Sequence, residues 1–435
     1  MNLTTTLILI NALLAVGLQG VFRNLRHIII AAGAIVAIII TTMNGVSLSE
    51  FFKLLPLDVL AILLSLQLFG DIVIDSRIFD ILTRFLAKTS KGKGWLIIFA
   101  FGTITYLVSC FMDNYQCLLL LIPPILGSLK QVRVSKRFLQ IVFGLLIITS
   151  NLGGASTPVG DFPALFMLSK GIIDFKSYLL NVTPLLLIAI TLCTLVALAF
   201  YHFNKLDLTE EEEKTSVAFT QYLYRNVRID WKILAPAIII FVGMAICWIK
   251  GFDATKVSII GFLILALCVK LGKTAEEKIK KTEAGIFIYY LCLFVIVVSI
   301  QQTGLLTQLG DYLLTYKDNK LLMILLFVTA TTLVTGAVSA GPATVAMFPV
   351  VEALKPLFPD SMVLTCFVLS ICAGSSLLMT SATAGPLMAS LTEQYDVVAD
   401  GKKYSYNFRE YLLPGFIGAL MIYLVNVAYI FVKLS

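Results

Sequence analysis

The sequence predicts an all-α polytopic membrane protein made of two inverted repeats, and three observations carry that prediction. Hydrophobic residues fill 59% of the 435 positions and charged residues 14%, with mean hydropathy +0.93, far from the balance of a soluble domain. The apolar stretches run twice in one order: span, span, span, hairpin, broken span, span. Most of the 33 basic residues fall in loops that alternate crossings put on one side, as the positive-inside rule requires.

The first repeat covers residues 1–203. Leu3 to Phe22 is long enough to span. It has no basic region ahead of it and is followed by Arg23 and Arg26, so it reads as a mature helix rather than a cleaved signal. Ile28 to Thr42 and Val59 to Ile74 are the next two spans. Between Asp75 and Lys93, Ile78, Phe79, Ile81, Leu82, Phe85 and Leu86 recur at helical spacing, which predicts an amphipathic helix along the membrane surface.

Residues 94–129 form an apolar stretch interrupted at Met112-Asp113-Asn114-Tyr115-Gln116. The arm after the interruption, Cys117 to Leu129, is only about 20 Å long as a helix, short for a bilayer, so a re-entrant hairpin is expected. Residues 138–168 form a span broken by SNLGGASTPVGDFP, Ser150 to Pro163. Irregular polar backbone at membrane depth survives only inside protein or beside a watery cavity. Tyr178 to Phe203 closes the repeat, and residues 204–230, with the acidic run Glu210 to Glu213, read as a solvated cytoplasmic linker.

The second repeat covers residues 231–435. Lys232 to Trp248, Val257 to Val269 and Gly285 to Ile300 are spans, followed by a surface segment with Leu305, Leu306, Leu309 and Leu313. The second hairpin is 321–354, broken around Ser339-Ala340-Gly341-Pro342, and the second broken helix is 362–389. Tyr411 to Lys433 ends the chain. Both hairpins place a proline at the same distance past the tip, Asp113 to Pro123 and Ser339 to Pro349. Five crossings per repeat is an odd number, so the halves are inverted and both termini are expected outside.

Several function classes are disfavoured. The eight cysteines fall in or beside apolar spans without a C-x-x-C pair, and only His27 and His202 are present. Neither a disulfide framework, a metal cluster nor a Ser-His-Asp set is implied. The net charge of +7 is explained by the basic loops, with no nucleic-acid surface.

Inverted repeats that each bring a hairpin tip and a broken helix to the midplane are the architecture of secondary transporters. Asp113 and Asp161 are the acidic residues at the interruptions. A carboxylate at membrane depth is costly and is functional by default, as a sodium ligand or a proton carrier. The plainer use also stays open, in which Asp161 caps the helix restarting at Phe162 and Asp113 takes a hairpin amide. Asn114, Asn151, Ser156 and Thr157 offer neutral oxygens, Gly153 and Gly154 allow close backbone approach, and Asp113, Asn151 and Asp161 are the candidate sodium ligands.

MDNYQCLLLLIPP resembles the Asp-Asn hairpin tip of the ion transporter superfamily. NLGGASTPVGD is similar to a stretch of NhaD-type sodium/proton antiporters, and GSSLLMTSATAGPLM is similar to their second break. The resemblance covers nearly the whole chain and implies ion handling by Asp113, Asn114, Asn151, Thr157 and Asp161, with Ser375, Ser376 and Thr380 in the second half. Ser339, Thr344 and Ser381 complete the candidate set. One departure stands out: the antiporters usually carry a second Asp-Asn where this chain reads Ser339-Ala340.

The expected activity is ion-coupled secondary transport by alternating access, foremost sodium/proton antiport. The second reading is sodium-coupled symport of a small organic anion or an oxyanion. No cofactor is expected beyond a sodium ion or proton as coupling ion. Expected partners are the lipid bilayer, a small inorganic ion or small anion as substrate, and a second copy in a homodimer, in the plasma (inner) membrane.

Overall fold

The structure is a computed structural model and describes residues 3–21, 25–129, 134–206, 209–269, 284–359, 361–382, 384–395 and 397–435. Arg23 and the basic loop positions 130–133 and 270–281 lie outside the described residues.

In the first half α1 (Leu3–Val21) pairs with α2 (Arg26–Met43), and the short α3 (Leu48–Lys53) leads into α4 (Leu57–Ile74). A capping box between Ser47 and Glu50 starts α3, supplying acceptors for amides that no helical carbonyl reaches. The expected amphipathic helix is α5 (Ile78–Ser90), entered through Arg77 at φ 61°. Then come α6 (Gly94–Ser109), α7 (Asn114–Leu129), α8 (Lys136–Ser156), α9 (Phe162–Ser169), α10 (Phe175–Asn181) and α11 (Thr183–Phe203).

After α12 (Glu210–Leu223) the second half runs α13 (Trp231–Ile249), α14 (Ala254–Cys268), α15 (Ala284–Gln302) and α16 (Leu305–Leu314). It continues through α17 (Lys320–Val338), α18 (Ala340–Leu354), α19 (Met362–Leu377), α20 (Ala384–Gln394) and α21 (Phe408–Leu434). A two-residue hairpin, β1 (Val398–Ala399) with β2 (Lys402–Lys403), precedes α21. The surface helix α16 is entered through Gly304 at φ 70°, matching Arg77 before α5.

Six helices among the described residues are long and apolar enough to cross a membrane, or seven if α15 and α16, bent by 58° at their junction, count as one span. The protein is therefore a multi-pass membrane protein. The helices α8 and α19 are buried along nearly their whole length, whereas α11 and α13 expose many large apolar side chains that lipid can cover.

Packing in the second half repeats that of the first. α1 lies on α2 as α13 lies on α14, and α6 lies on α8 as α17 lies on α19. Across the halves, α4 packs on α14 as α15 packs on α2, and α7 packs on α20 as α18 packs on α9. The arm that follows each hairpin tip thus rests on the resumed half-helix of the other half.

Two expectations need correction. The arm after the first tip has 16 residues, starting at Asn114 because Asp113 caps it, and α17 at 19 residues is long enough to cross by itself. The arm after the first tip, about 24 Å as a helix, stays short of a bilayer whereas α17 does not, so arm length alone does not argue for re-entrance of both stretches. Residues 204–230 are also more than a solvated linker: Thr209 and Glu212 form a capping box that starts α12, and α12 packs on α5 and α7. Arg84 Nη1 donates to the Tyr224 carbonyl at 3.1 Å, and a methyl on Gly92 would stand 2.3 Å from the Glu213 carbonyl oxygen.

Candidate ion-binding site

The site forms where α6 turns into α7 and α8 breaks before α9. Asp113 closes the hairpin turn by accepting the Tyr115 amide on Oδ2 at 2.9 Å. The next residue, Asn114, is 4% exposed and directs Nδ2 to Asn151 Oδ1 at 3.3 Å and to Asp161 Oδ2 at 3.5 Å. Its Oδ1 accepts from Ser109 Oγ at 2.8 Å. Gly154 permits this approach, since a methyl there would stand 2.4 Å from Asn114 Oδ1.

The break itself begins at Thr157, where the backbone turns extended at φ −127° and ψ 153°. Its hydroxyl donates to the Cys110 carbonyl, tying the break to the hairpin turn. Asp161 caps α9, its Oδ1 accepting the Phe162 amide at 2.7 Å. Both carboxylates therefore serve as caps, and Asp161 keeps its second oxygen on the Asn114 side. Capping by Oδ1 is thus compatible with ion handling by Oδ2.

Asn151 joins the halves, donating from Nδ2 to Ser376 Oγ on α19 at 3.2 Å. A polar chain thus runs Ser109, Asn114, Asn151, Ser376, with Asp161 beside it. Ser156 stands differently: it donates to the Leu152 carbonyl at 2.7 Å and accepts from Tyr106 Oη at 2.8 Å. Its hydroxyl binds α8 to α6.

Three details of the first break recur in the second. A methyl on Gly153 would stand 2.2 Å from the Tyr106 carbonyl oxygen, and one on Gly374 2.4 Å from that of Thr332. Ser381 donates to the Gly336 carbonyl as Thr157 does to Cys110. Tyr178 Oη donates to the Ala155 carbonyl at 2.6 Å, and Tyr411 Oη to the Ser376 carbonyl at 2.8 Å. Each tyrosine thereby serves a carbonyl that the helix end leaves without a donor.

The other second-half candidates are arranged less like a site. Ser375 donates to the Cys372 carbonyl at 3.0 Å and Thr344 to the Ala340 carbonyl at 2.7 Å, within their own helices. Thr380 is exposed. Ser339 lies at the tip with φ 83° and ψ 160°, a region costly for any residue with a side chain. Of these second-half residues, Ser376 is the one hydrogen-bonded to the first-half cluster.

Sequence reasoning passed over Ser109, the two tyrosines and an acidic residue on α4. Tyr178 and Tyr411 carried a signal, because each opens the last span of its repeat. Asp71 was readable as a carboxylate in an apolar span. Its Oδ1 accepts from Gln116 Nε2 at 2.9 Å.

A family model described as "Citrate transporter", CitMHS, matches residues 4–389. The chain belongs to the citrate transporter family. Among its curated relatives are "Magnetosome protein MamN" of Magnetospirillum gryphiswaldense, 24% identical over 370 residues and covering 83% of this chain and 82% of the relative. Another is "46 kDa membrane protein" of Mycobacterium leprae, 24% identical and covering 70% of each chain. A third is "Uncharacterized transporter slr0753" of Synechocystis sp., 23% identical over 75% of this chain and 72% of the relative. As a member of the citrate transporter family the protein is a secondary transporter and falls within the ion transporter superfamily.

Proposed function

We propose that this member of the citrate transporter family couples transport to a cation held in the first half of the site, and that it exchanges sodium for protons. The observation that carries the reading is the convergence of Asn114, Asn151 and Asp161. It sets a carboxylate and amide oxygens in buried surroundings, and the sequences of both hairpins and both breaks hold no Lys or Arg. Such a site favours a cation over an anion.

In this reading residues 1–203 and 231–435 are inverted repeats, 94–129 and 321–354 are re-entrant hairpins, and alternating access is a rocking of one half against the other. Asp113, Asn151 and Asp161 are the sodium ligands, the carrier is a homodimer of the plasma (inner) membrane, and both termini lie outside.

The test is proton flux in proteoliposomes. Sodium addition is expected to dissipate an imposed proton gradient, and Asp161→Asn to reduce that rate at least about a hundredfold, the scale of losing a coupling ligand worth about 3 kcal/mol. Full activity of the variant would refute the assignment of Asp161.

The family's description favours a second reading, sodium-coupled uptake of citrate or a dicarboxylate. Ser339-Ala340 at the second tip supports it by leaving that side without a carboxylate, where the α18 amides can meet an anion. Sodium-driven accumulation of labelled citrate, with no sodium-driven proton flux, would select it over exchange.

A further inference from the structure

In the last turn of α4, Gly70 and Asp71 flank the first hairpin tip. Gln116, in the first turn of α7 and 3% exposed, donates from Nε2 to the Gln67 carbonyl at 2.9 Å and to Asp71 Oδ1 at 2.9 Å. These two acceptors fix the direction of the amide, because reversal would set Oε1 against two oxygens. Gln116 Oε1 is thereby left buried without a donor, an arrangement that costs stability unless something compensates it.

Gly70 lets α4 lie close against that oxygen. A methyl built there would stand 3.1 Å from Gln116 Oε1 and 2.8 Å from Met112 Cε. A carboxylate and a buried carbonyl oxygen lacking a donor form the oxygen-rich, negative surroundings that a hard cation takes. Asp113 caps the same turn of α7 that carries Gln116, so this place adjoins the cluster around Asp161.

We infer that Asp71 and Gln116 Oε1 hold a sodium ion at the flank of the first hairpin tip, separate from the ion at Asp161. The inference rests on the cation-coupled reading and adds a second station to it. Water supplies the remaining ligands, as it does for cations in partly hydrated protein sites.

Equilibrium binding of radioactive sodium to the purified full-length protein in nanodiscs tests it. Asp71→Asn, which keeps the side-chain shape, is expected to bind one sodium ion fewer per chain than the wild type. Gly70→Ala is expected to weaken that ion by about tenfold, or about 1.4 kcal/mol, and Asp71→Glu to retain it. Size-exclusion profiles matching the wild type confirm folded variants. Wild-type stoichiometry and affinity in Asp71→Asn overturn the station, as does a wild type whose sodium binding is abolished entirely by Asp161→Asn. If wild-type flux is cation-driven while Asp71→Asn binds sodium normally, the station fails and the transport reading stands. If no cation drives flux but Asp71→Asn still loses an ion, the transport reading fails and the station stands.

Discussion

Ser339 shows how one residue marks the difference between the two tips. Its φ of 83° with ψ 160° suits glycine and costs other residues about 1–3 kcal/mol. Ser339→Gly is expected to stabilise the protein by about 1 kcal/mol, read as a higher Tm in detergent. An unchanged or lower Tm would show that the serine is not strained. Gly153 and Gly374 act in the opposite sense, each holding a broken helix against a hairpin arm with no room for a methyl. Alanine at either is expected to cost about 1–3 kcal/mol or more by overpacking, with similar losses at both because the contacts match. The NLGGASTPVGD motif marked Gly153 in the sequence, whereas its counterpart Gly374 sits in a stretch of weaker likeness.

At the scale of elements, a broken helix must find donors for the carbonyls at its end. In α8 and α19 those donors include a tyrosine from the following segment, Tyr178 and Tyr411. Phenylalanine at either position is expected to cost about 0.5–1.5 kcal/mol, the net worth of one hydrogen bond, and both losses are expected to be alike in thermal unfolding. A large loss at one and none at the other would break the equivalence of the two ends. The broken helices themselves were legible in the sequence, since glycine, proline and polar residues inside apolar runs cannot face lipid. The lengths of the hairpin arms were not, because helix capping by Asp113 starts α7 earlier than the apolar pattern suggests. Nor was the docking of α12 legible, which depends on the α5 surface it meets.

Across the whole molecule, the exchange of arms between halves is the main structural fact. α7 rests on α20 and α18 on α9, so neither half completes its side of the site alone. The inverted arrangement proposed for the two halves is tested by topology. A periplasmic reporter enzyme fused after Ser435 is expected to be active and a cytoplasmic fluorescent reporter there dark, while reporters placed in 204–230 are expected to give the reverse. The opposite pattern would turn the protein over and disprove outside termini. Lys136 Nζ to Glu410 at 2.7 Å and Asn151 to Ser376 at 3.2 Å are further ties between halves, one near the surface and one at the centre. In the proposed alternating access, movement of one half against the other must break or carry both.

By itself the sequence determined the membrane class, the places where the apolar stretches are interrupted, and Asp113, Asn114, Asn151 and Asp161 as the polar residues at the interruptions of the first half. It could do so because hydrocarbon penalises every unpaired polar group, which makes each exception visible in one dimension. Only the tertiary structure decided which exceptions meet. It joined Asn151 to Ser376, left Ser375 and Thr344 to their own helices and Thr380 exposed, and brought Asp71 from α4 to Gln116 at the hairpin. Those choices depend on distances between segments far apart in the chain, and helix packing fixes such distances while hydropathy does not.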